Sequence, residues 1–186
     1  MSIRDGAPPG AEPDLEQRIA MHSGDYVQLL DSIPIDRLAR LVPLLELRPD
    51  DRVVDFAAGT GVLAHLVADR VASYDGVDFS PDFVAFARRR ASDAGLANAK
   101  FHCRDIVDFC AEHADEFDLV TAMDFSEHVG DEDFLRIFSG AHRILKPGGR
   151  LVVYTPNLDF FYERMKAAGL AKQFPQHIAV RTDMQH

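Results

Sequence analysis

The sequence predicts an α/β domain built on a doubly wound, mostly parallel sheet with helices on both faces. Three observations predict this class. Short apolar runs alternate with helical stretches from about residue 50 onward. An aspartate stands at or just after the end of each of the first three runs. The 186 residues, 47% of them hydrophobic, are enough for one core. Strands joined by helices take right-handed crossovers, which give a parallel sheet.

The elements are justified in chain order. Residues 1–13, rich in Pro, Gly and Asp, predict a disordered tail. Residues 14–48 predict a helical segment divided at Pro43, with apolar side chains at helical spacing: Leu38, Leu41, Val42 and Leu45. The core, residues 49–157, has five predicted strands, at Val53–Phe56, Ser73–Val77, Lys100–Cys103, Leu119–Met123 and Arg150–Tyr154. The clearest helices between them are Val62–Ala68, Pro81–Ala94 and Asp133–Ile144. Residues 158–186 predict a helix at about 159–170 and an extended tail.

The turn after the first strand is the most informative segment. Asp55 lies within that strand, and Gly59 and Gly61 follow in a tight turn. Glycine can adopt positive φ and lets a ligand approach the main chain. The next helix begins with free N–H groups at the same place. This arrangement predicts a site for a nucleotide-like cofactor.

The pattern resembles the first motif of the class I S-adenosylmethionine-dependent methyltransferases. Asp55, Gly59 and Gly61 match it, whereas Ala57 stands where the first glycine usually lies. The turn Lys-Pro-Gly-Gly at 146–149 matches another motif of that family, and the resemblance spans residues 50–157. It implies a Rossmann-like fold, an S-adenosylmethionine cofactor and a small-molecule methyl acceptor.

The resemblance also implies roles for the strand-end residues. Asp55 would neighbour the methionyl amine and order the loop, and Asp78 would accept hydrogen bonds from both ribose hydroxyls. Phe79 would cover one face of the adenine, Asp105 would lie near its amino group, and Ile106 would supply an amide and an apolar wall. The predicted cofactor-binding residues are Asp55, Ala57, Gly59, Gly61, Asp78, Phe79, Asp105, Ile106 and Asp124.

Structural roles for these aspartates, and two other functions for the chain, remain open at this point. An aspartate after a strand is often only a turn former or a helix cap, which applies to Asp78 and Asp105. The segment Gly59–Ala64 also fits the Gly-x-Gly-x-x-Ala pattern of dinucleotide-binding folds, so an NAD-dependent oxidoreductase is one rival. A non-catalytic S-adenosylmethionine-binding module that serves a partner is the other.

The fourth strand brings further polar residues to the same edge of the sheet. His128 is the candidate general base for an acceptor that arrives protonated, with oxygen favoured as the acceptor atom. The alternative is that His128 only lines the site. Asp124, Glu127 and His128, joined by His177, have a spacing similar to that of methyltransferases that hold a divalent ion. They predict a Mg²⁺ site that would acidify an acceptor hydroxyl.

Composition limits the remaining classes. The net charge of −10 and the pI of about 5.1 argue against a broad nucleic-acid footprint. Arg88, Arg89 and Arg90 have two interpretations. They could form a local basic groove for nucleic acid, or they could lie on a helix face exposed to solvent, which is the more common case. The two cysteines indicate neither a disulfide framework nor a zinc site. No segment reads as a signal peptide or a membrane span, so a cytoplasmic location without membrane contact is expected.

The C-terminal end carries one more expectation. The resembled family has seven strands, the last two forming a hairpin against the fifth, and residues 158–186 leave no room for them. The hairpin is therefore expected to be missing, as in a truncated chain. An exposed fifth strand would favour a homo-oligomer or a completing chain at that edge.

Overall fold

The computed structural model describes residues 15–32, 34–157, 164–166 and 168–170. Its N-terminal part contains three short helices, α1 (Leu15–Met21), α2 (Asp25–Asp31) and α3 (Asp36–Ala39), followed by a 3₁₀ turn at Val42–Leu45. Pro43 lies in the first turn of that 3₁₀ segment, where its missing N–H costs no hydrogen bond. The helical segment is thus divided into shorter pieces than the sequence predicts.

A five-stranded parallel sheet forms the centre of the molecule. Its strands are β1 (Arg52–Phe56), β2 (Ser73–Asp78), β3 (Ala99–Cys103), β4 (Phe117–Met123) and β5 (Leu145–Tyr154), in the spatial order β3-β2-β1-β4-β5. The order reverses between β1 and β4, so the loops that leave these strands diverge and open a crevice at their carboxyl ends. The described residues confirm the predicted fold class, with β3 and β5 at the edges of this sheet.

Helices cover both faces of the sheet. α4 (Val62–Val67) and α5 (Pro81–Asp93) pack with Val53, Tyr74 and Leu119 in one core cluster. On the other face, α6 (Ile106–Ala111) and α7 (Asp131–Ile144) pack with Val54 and Val120 in the second. The central strands β1, β2 and β4 are largely buried, whereas the edge strands β3 and β5 are mostly half-buried or exposed. Burial on both faces explains the apolar runs of β1 and β4 in the sequence.

The fifth strand differs from its prediction. The segment Lys146–Gly149 was expected as a turn before a strand at Arg150, but β5 begins at Leu145. The register with β4 shifts there: Phe117 pairs with Leu145, while Leu119 already pairs with Arg150. The strand is therefore bulged, and Gly148 at φ 79° accommodates the irregularity.

Several expectations fall outside the described residues. They concern the tail at 1–13, most of the helix predicted at 159–170, and residue His177; only residues 164–166 are seen to be helical there. The expectations of a missing hairpin and of a partner at the β5 edge stay predictions. Within the described ranges, none of the helices combines the length and the apolar character that a membrane crossing needs.

Candidate active site

A cavity of about 1050 Å³ opens at the carboxyl ends of the strands. Its walls come from the turn after β1, from residues that follow β2, β3 and β4, and from α1 to α3. Ten predicted site residues line it: Asp55, Ala57, Gly59, Asp78, Phe79, Asp105, Ile106, Asp124, Glu127 and His128. The topology thus brings into one cavity nearly all of the side chains predicted from strand ends.

The turn at residues 57–61, here called the cofactor loop, depends on left-handed backbone conformations. Ala57, Gly59 and Gly61 have φ of 54°, 52° and 74°. Gly61 is not among the residues that line the cavity. A Cβ on Gly61 would lie 2.9 Å from the Cβ of Ala87, so this glycine allows α4 and α5 to pack closely. The sequence predicted Gly61 as a ligand contact, whereas its described contacts are those of packing.

Asp78 holds the cofactor loop against the end of β2. Its Oδ2 accepts the N–H of Gly59 at 2.9 Å, and its Oδ1 accepts the N–H of Ser80 at 2.9 Å. The side chain is buried, and this burial raises the pKa of the carboxyl above its ordinary value. Each carboxylate oxygen has a second lone pair. Asp78 can therefore order the loop and also accept a hydrogen bond from a ligand at each oxygen.

Asp55 is buried between two hydroxyl groups. Tyr74 Oη donates to its Oδ2 at 2.5 Å, and Thr121 Oγ1 donates to its Oδ1 at 2.7 Å. Desolvation raises the pKa of Asp55 to about 6, although both hydrogen bonds favour the charged form. The cavity therefore contains a carboxyl group whose pKa lies well above that of an exposed aspartate.

Asp105 caps a helix, which is the structural role given above as the alternative to cofactor binding. Its Oδ1 accepts the N–H of Val107 at 2.7 Å and of Asp108 at 3.4 Å, which caps the start of α6. It also lines the cavity with its neighbour Ile106. Capping uses Oδ1 alone among the described bonds, so the cap and a contact from Oδ2 to a ligand are compatible.

On the acceptor side, Asp124 is paired with an arginine from α3. Arg37 Nη1 donates to Asp124 Oδ1 at 2.7 Å, and Arg37 Nη2 donates to Oδ2. This double hydrogen bond raises the pKa of the guanidinium. Asp124 itself has φ of 50°, a conformation that turns the chain sharply after β4. The pair ties the N-terminal helices to the end of the fourth strand.

Glu127 and His128 lie beside this pair. Glu127 is 1% exposed, and its Oε2 accepts the hydroxyl of Thr155 at 2.7 Å. Burial raises the pKa of Glu127 to about 7. Tyr26 of α2 lines the cavity, and burial, together with the nearby charge of Glu127, raises the pKa of its hydroxyl. His128 is half-buried on the cavity wall.

The predicted magnesium site would use Asp124, Glu127, His128 and His177. Both oxygens of Asp124 accept from Arg37, and Glu127 is directed to Thr155. In the part of the chain that the structure describes, no group of three or more His, Cys, Asp or Glu side chains is placed to hold a metal ion. The described residues alone therefore do not form a site for a divalent ion. Because His177 lies outside the described residues, the four-ligand site stays a prediction.

Several residues of the site were not predicted from the sequence, and His22 and Arg37 are the most informative of them. The ring of His22 contacts Phe79 edge-on, with centroids 5.2 Å apart, and its carbonyl accepts the hydroxyl of Ser80 at 2.7 Å. Its Nδ1 faces the carbonyl of Arg18 at 2.7 Å. Both missed residues belong to an N-terminal segment without a motif, and their partners lie 58 and 87 residues away. No local pattern could have revealed them.

Comparison with known proteins decides the family. Residues 53–149, just over half of the chain, match the family described as "Methyltransferase domain". The chain belongs to the class I S-adenosylmethionine-dependent methyltransferases. This result confirms the resemblance found in the sequence, and the match ends at the Gly-Gly pair before Arg150.

Among curated proteins, a ubiquinone biosynthesis O-methyltransferase of Xylella fastidiosa is 31% identical over 128 residues, or 69% of this chain and 49% of that protein. A similar match to the enzyme of the same name from Xanthomonas campestris covers 51% of its length. The chain therefore spans about half the length of the curated relatives it matches.

Solved structures show the same fold. An S-adenosylmethionine-dependent methyltransferase from Archaeoglobus fulgidus superposes with a TM-score of 0.65 at 21% identity, over 85% of this chain and 64% of that one. The [4+2]-cyclase SpnF superposes with a TM-score of 0.57 at 33% identity, over 63% of this chain and 43% of that one. The family fold thus occurs in proteins with more than one named reaction.

Proposed function

We propose that this chain binds S-adenosylmethionine and transfers its methyl group to a small-molecule acceptor, with oxygen as the favoured acceptor atom. The observation that carries the proposal is the convergence of Asp55, Asp78 and Asp105 with the cofactor loop in one cavity. Residues 49–157 would form the cofactor-binding core. Residues 14–48, the acceptor cap, would enclose the second substrate. Two relatives named as O-methyltransferases support the choice of oxygen.

The cofactor would be held by contacts that the cavity leaves available. Asp78 would accept from the ribose hydroxyls with the acceptor capacity that remains, while its bonds to Gly59 and Ser80 keep the carboxylate oriented. Phe79 and Ile106 offer apolar surfaces for the adenine. Asp55 offers an anionic partner for the methionyl ammonium group. When bound, the cofactor supplies an activated methyl on a sulfonium, so placement of the acceptor does much of the catalysis.

Two residues on the acceptor side could take the proton of an acceptor hydroxyl, and His128 is the one predicted from sequence. Glu127 is the competitor, since it lies buried in the same wall. The comparison of His128→Gln with Glu127→Gln separates them. Loss of a general base should lower kcat by about 10²- to 10⁴-fold. We expect that loss in His128→Gln; a lining role for His128 would leave kcat within a few-fold of the parent.

Calorimetric titration with S-adenosylhomocysteine and with NAD tests the cofactor. We expect binding of S-adenosylhomocysteine and none of NAD, because the family match argues against the nicotinamide-dependent alternative. Turnover of S-adenosylmethionine with a panel of phenols, alcohols and amines then tests the acceptor atom. Asp78→Asn is the matched variant, since it keeps the shape of the side chain but removes its charge. If Asp78→Asn bound S-adenosylhomocysteine as tightly as the parent protein does, the role proposed for Asp78 would be contradicted.

A second candidate is a cofactor-binding module without methyl transfer. It is favoured by the pairing of Arg37 with Asp124, which engages the polar groups of the acceptor side with each other. The likeness to SpnF, a [4+2]-cyclase by name, is consistent with that alternative. Tight binding of S-adenosylhomocysteine, with no methylated product from any acceptor, would favour this candidate.

A further inference from the structure

The sequence left open whether the run Arg88-Arg89-Arg90 forms a basic groove for nucleic acid. In the structure, two of its three guanidinium groups are engaged within the protein. Arg88 donates to the carbonyl of Phe101 from Nε at 3.2 Å and from Nη2 at 2.6 Å. Arg89 is exposed, and its guanidinium lies 5.6 Å from the centroid of the Phe86 ring. The bonds of Arg90 lead in a different direction, towards the cavity.

Arg90 contacts the cofactor loop with one arm of its guanidinium. Its Nη1 donates to the carbonyl of Thr60 at 2.9 Å and lies 3.2 Å from the Thr60 hydroxyl. Thr60 stands between the two glycines of the loop, is 5% exposed and lines the cavity. The loop adopts left-handed conformations on both sides of Thr60, and Asp78 holds it at Gly59. The bond from Arg90 to the Thr60 carbonyl adds a second restraint, from the side of α5.

The other arm of the same guanidinium reaches the acceptor cap. Arg90 Nη2 donates to Asp31 Oδ1 at the last residue of α2, 59 positions away in the chain. Leu29 and Leu30, the residues just before Asp31, line the acceptor half of the cavity. The Phe86 ring lies 5.2 Å from the guanidinium and limits its movement. One planar group with a fixed arrangement of donors therefore joins α2 to the cofactor loop.

We infer that Arg90 is a positioning residue that couples occupation of the cofactor loop to the placement of α2 over the acceptor. This inference rests on the proposed function, because it requires the loop to bind the cofactor. A ligand that orders the loop would restrain Thr60. Because Arg90 bonds to both Thr60 and Asp31, it would transmit this restraint to the end of α2. By reciprocity, a cap that is held in place lowers the conformational cost of binding the cofactor. Acceptor binding would then be favoured in the cofactor-loaded protein.

Hydrogen exchange, with and without S-adenosylhomocysteine, tests the coupling without relying on turnover. In the parent protein, the ligand should slow exchange in the cofactor loop and also in residues 25–31. Asp31→Asn keeps the bonds between Arg90 and Thr60 but weakens the bond to the cap. We expect it to retain protection of the loop, to lose protection of residues 25–31, and to bind S-adenosylhomocysteine about two- to fivefold more weakly. Arg90→Met should weaken binding further, because it removes both arms.

Arg89→Met is the matched control, since it removes an equal charge from the same helix without touching the loop or the cap. It should bind S-adenosylhomocysteine and protect residues 25–31 as the parent does. Unchanged affinity and unchanged protection of residues 25–31 in Asp31→Asn would overturn the inference while leaving the proposed function intact. Absence of binding to the parent protein would instead remove the proposed function, and the inference with it.

Discussion

Ala57 offers the sharpest test of how the cofactor loop is built, because it has a Cβ in a left-handed conformation. Its φ of 54° lies in the region that favours glycine, which is the residue that the resembled motif usually has here. A non-glycine residue in this region costs about 1–2 kcal/mol. Replacement by glycine relieves that strain but raises the freedom of the unfolded chain, which costs roughly 0.4–1 kcal/mol. Ala57→Gly should therefore stabilise the protein by about 0.5–1 kcal/mol.

Urea denaturation followed by circular dichroism measures this difference, and thermal melting should show an increase in Tm of about 2 °C for a chain of this size. Ala58→Gly is the matched control. Ala58 is 9% exposed, belongs to a core cluster and is not among the residues with positive φ. Its loss of a methyl group, together with the added chain entropy, should destabilise by about 1 kcal/mol or more. Equal destabilisation by the two substitutions would refute the argument from strain.

The remaining predictions concern packing, protonation and metal. Gly61→Ala should lower the free energy of unfolding by about 2–4 kcal/mol, because it combines left-handed strain with a Cβ placed 2.9 Å from that of Ala87. A smaller loss, measured by urea denaturation, would show that α4 can shift to accept the methyl group. The folded-state pKa of Asp55, about 6, lies above the unfolded value of about 3.9, so its contribution to stability is full below pH 4 and is lost as the pH rises through 6. Stability relative to Asp55→Asn should therefore fall by up to about 3 kcal/mol between pH 4 and pH 7, and a flat difference would exclude the raised pKa. Chelation with EDTA should leave turnover unchanged, because Arg37 engages both oxygens of Asp124; a loss restored by Mg²⁺ would contradict this and favour the four-ligand site.

The sequence predicted the sheet and the strand-end carboxylates for one physical reason. The central strands are rich in apolar residues, and a carboxylate at the end of such a strand, such as Asp78 after β2 or Asp124 after β4, marks where the strand meets the crevice. The prediction failed where distant parts of the chain decide the structure. The bulge in β5 depends on its register with β4, and the pairing of Arg37 with Asp124 joins residues that share no local pattern.

The same limit applies to the distinction between binding and structural roles. Asp78 ends β2 and Asp105 follows β3, but one holds the cofactor loop and the other caps α6. Gly61 matched a ligand-binding motif, yet its described contacts are with the helix behind the loop. Spacing in the sequence places a residue at the rim of the cavity. Which hydrogen bonds its atoms already make depends on neighbours that folding supplies.

The burial of Asp55 has a consequence for the heat of ligand binding. With a pKa of about 6, Asp55 is expected to carry a proton in a substantial fraction of the molecules near pH 6 before a ligand binds. A ligand whose ammonium group lies against this carboxyl favours its charged form, so binding near that pH would release the proton to the buffer. The measured enthalpy would then vary with the ionisation enthalpy of the buffer at pH 6 and become independent of it at pH 8. The affinity would weaken as the pH falls below 6, as protons and the ligand compete for one buried oxygen pair.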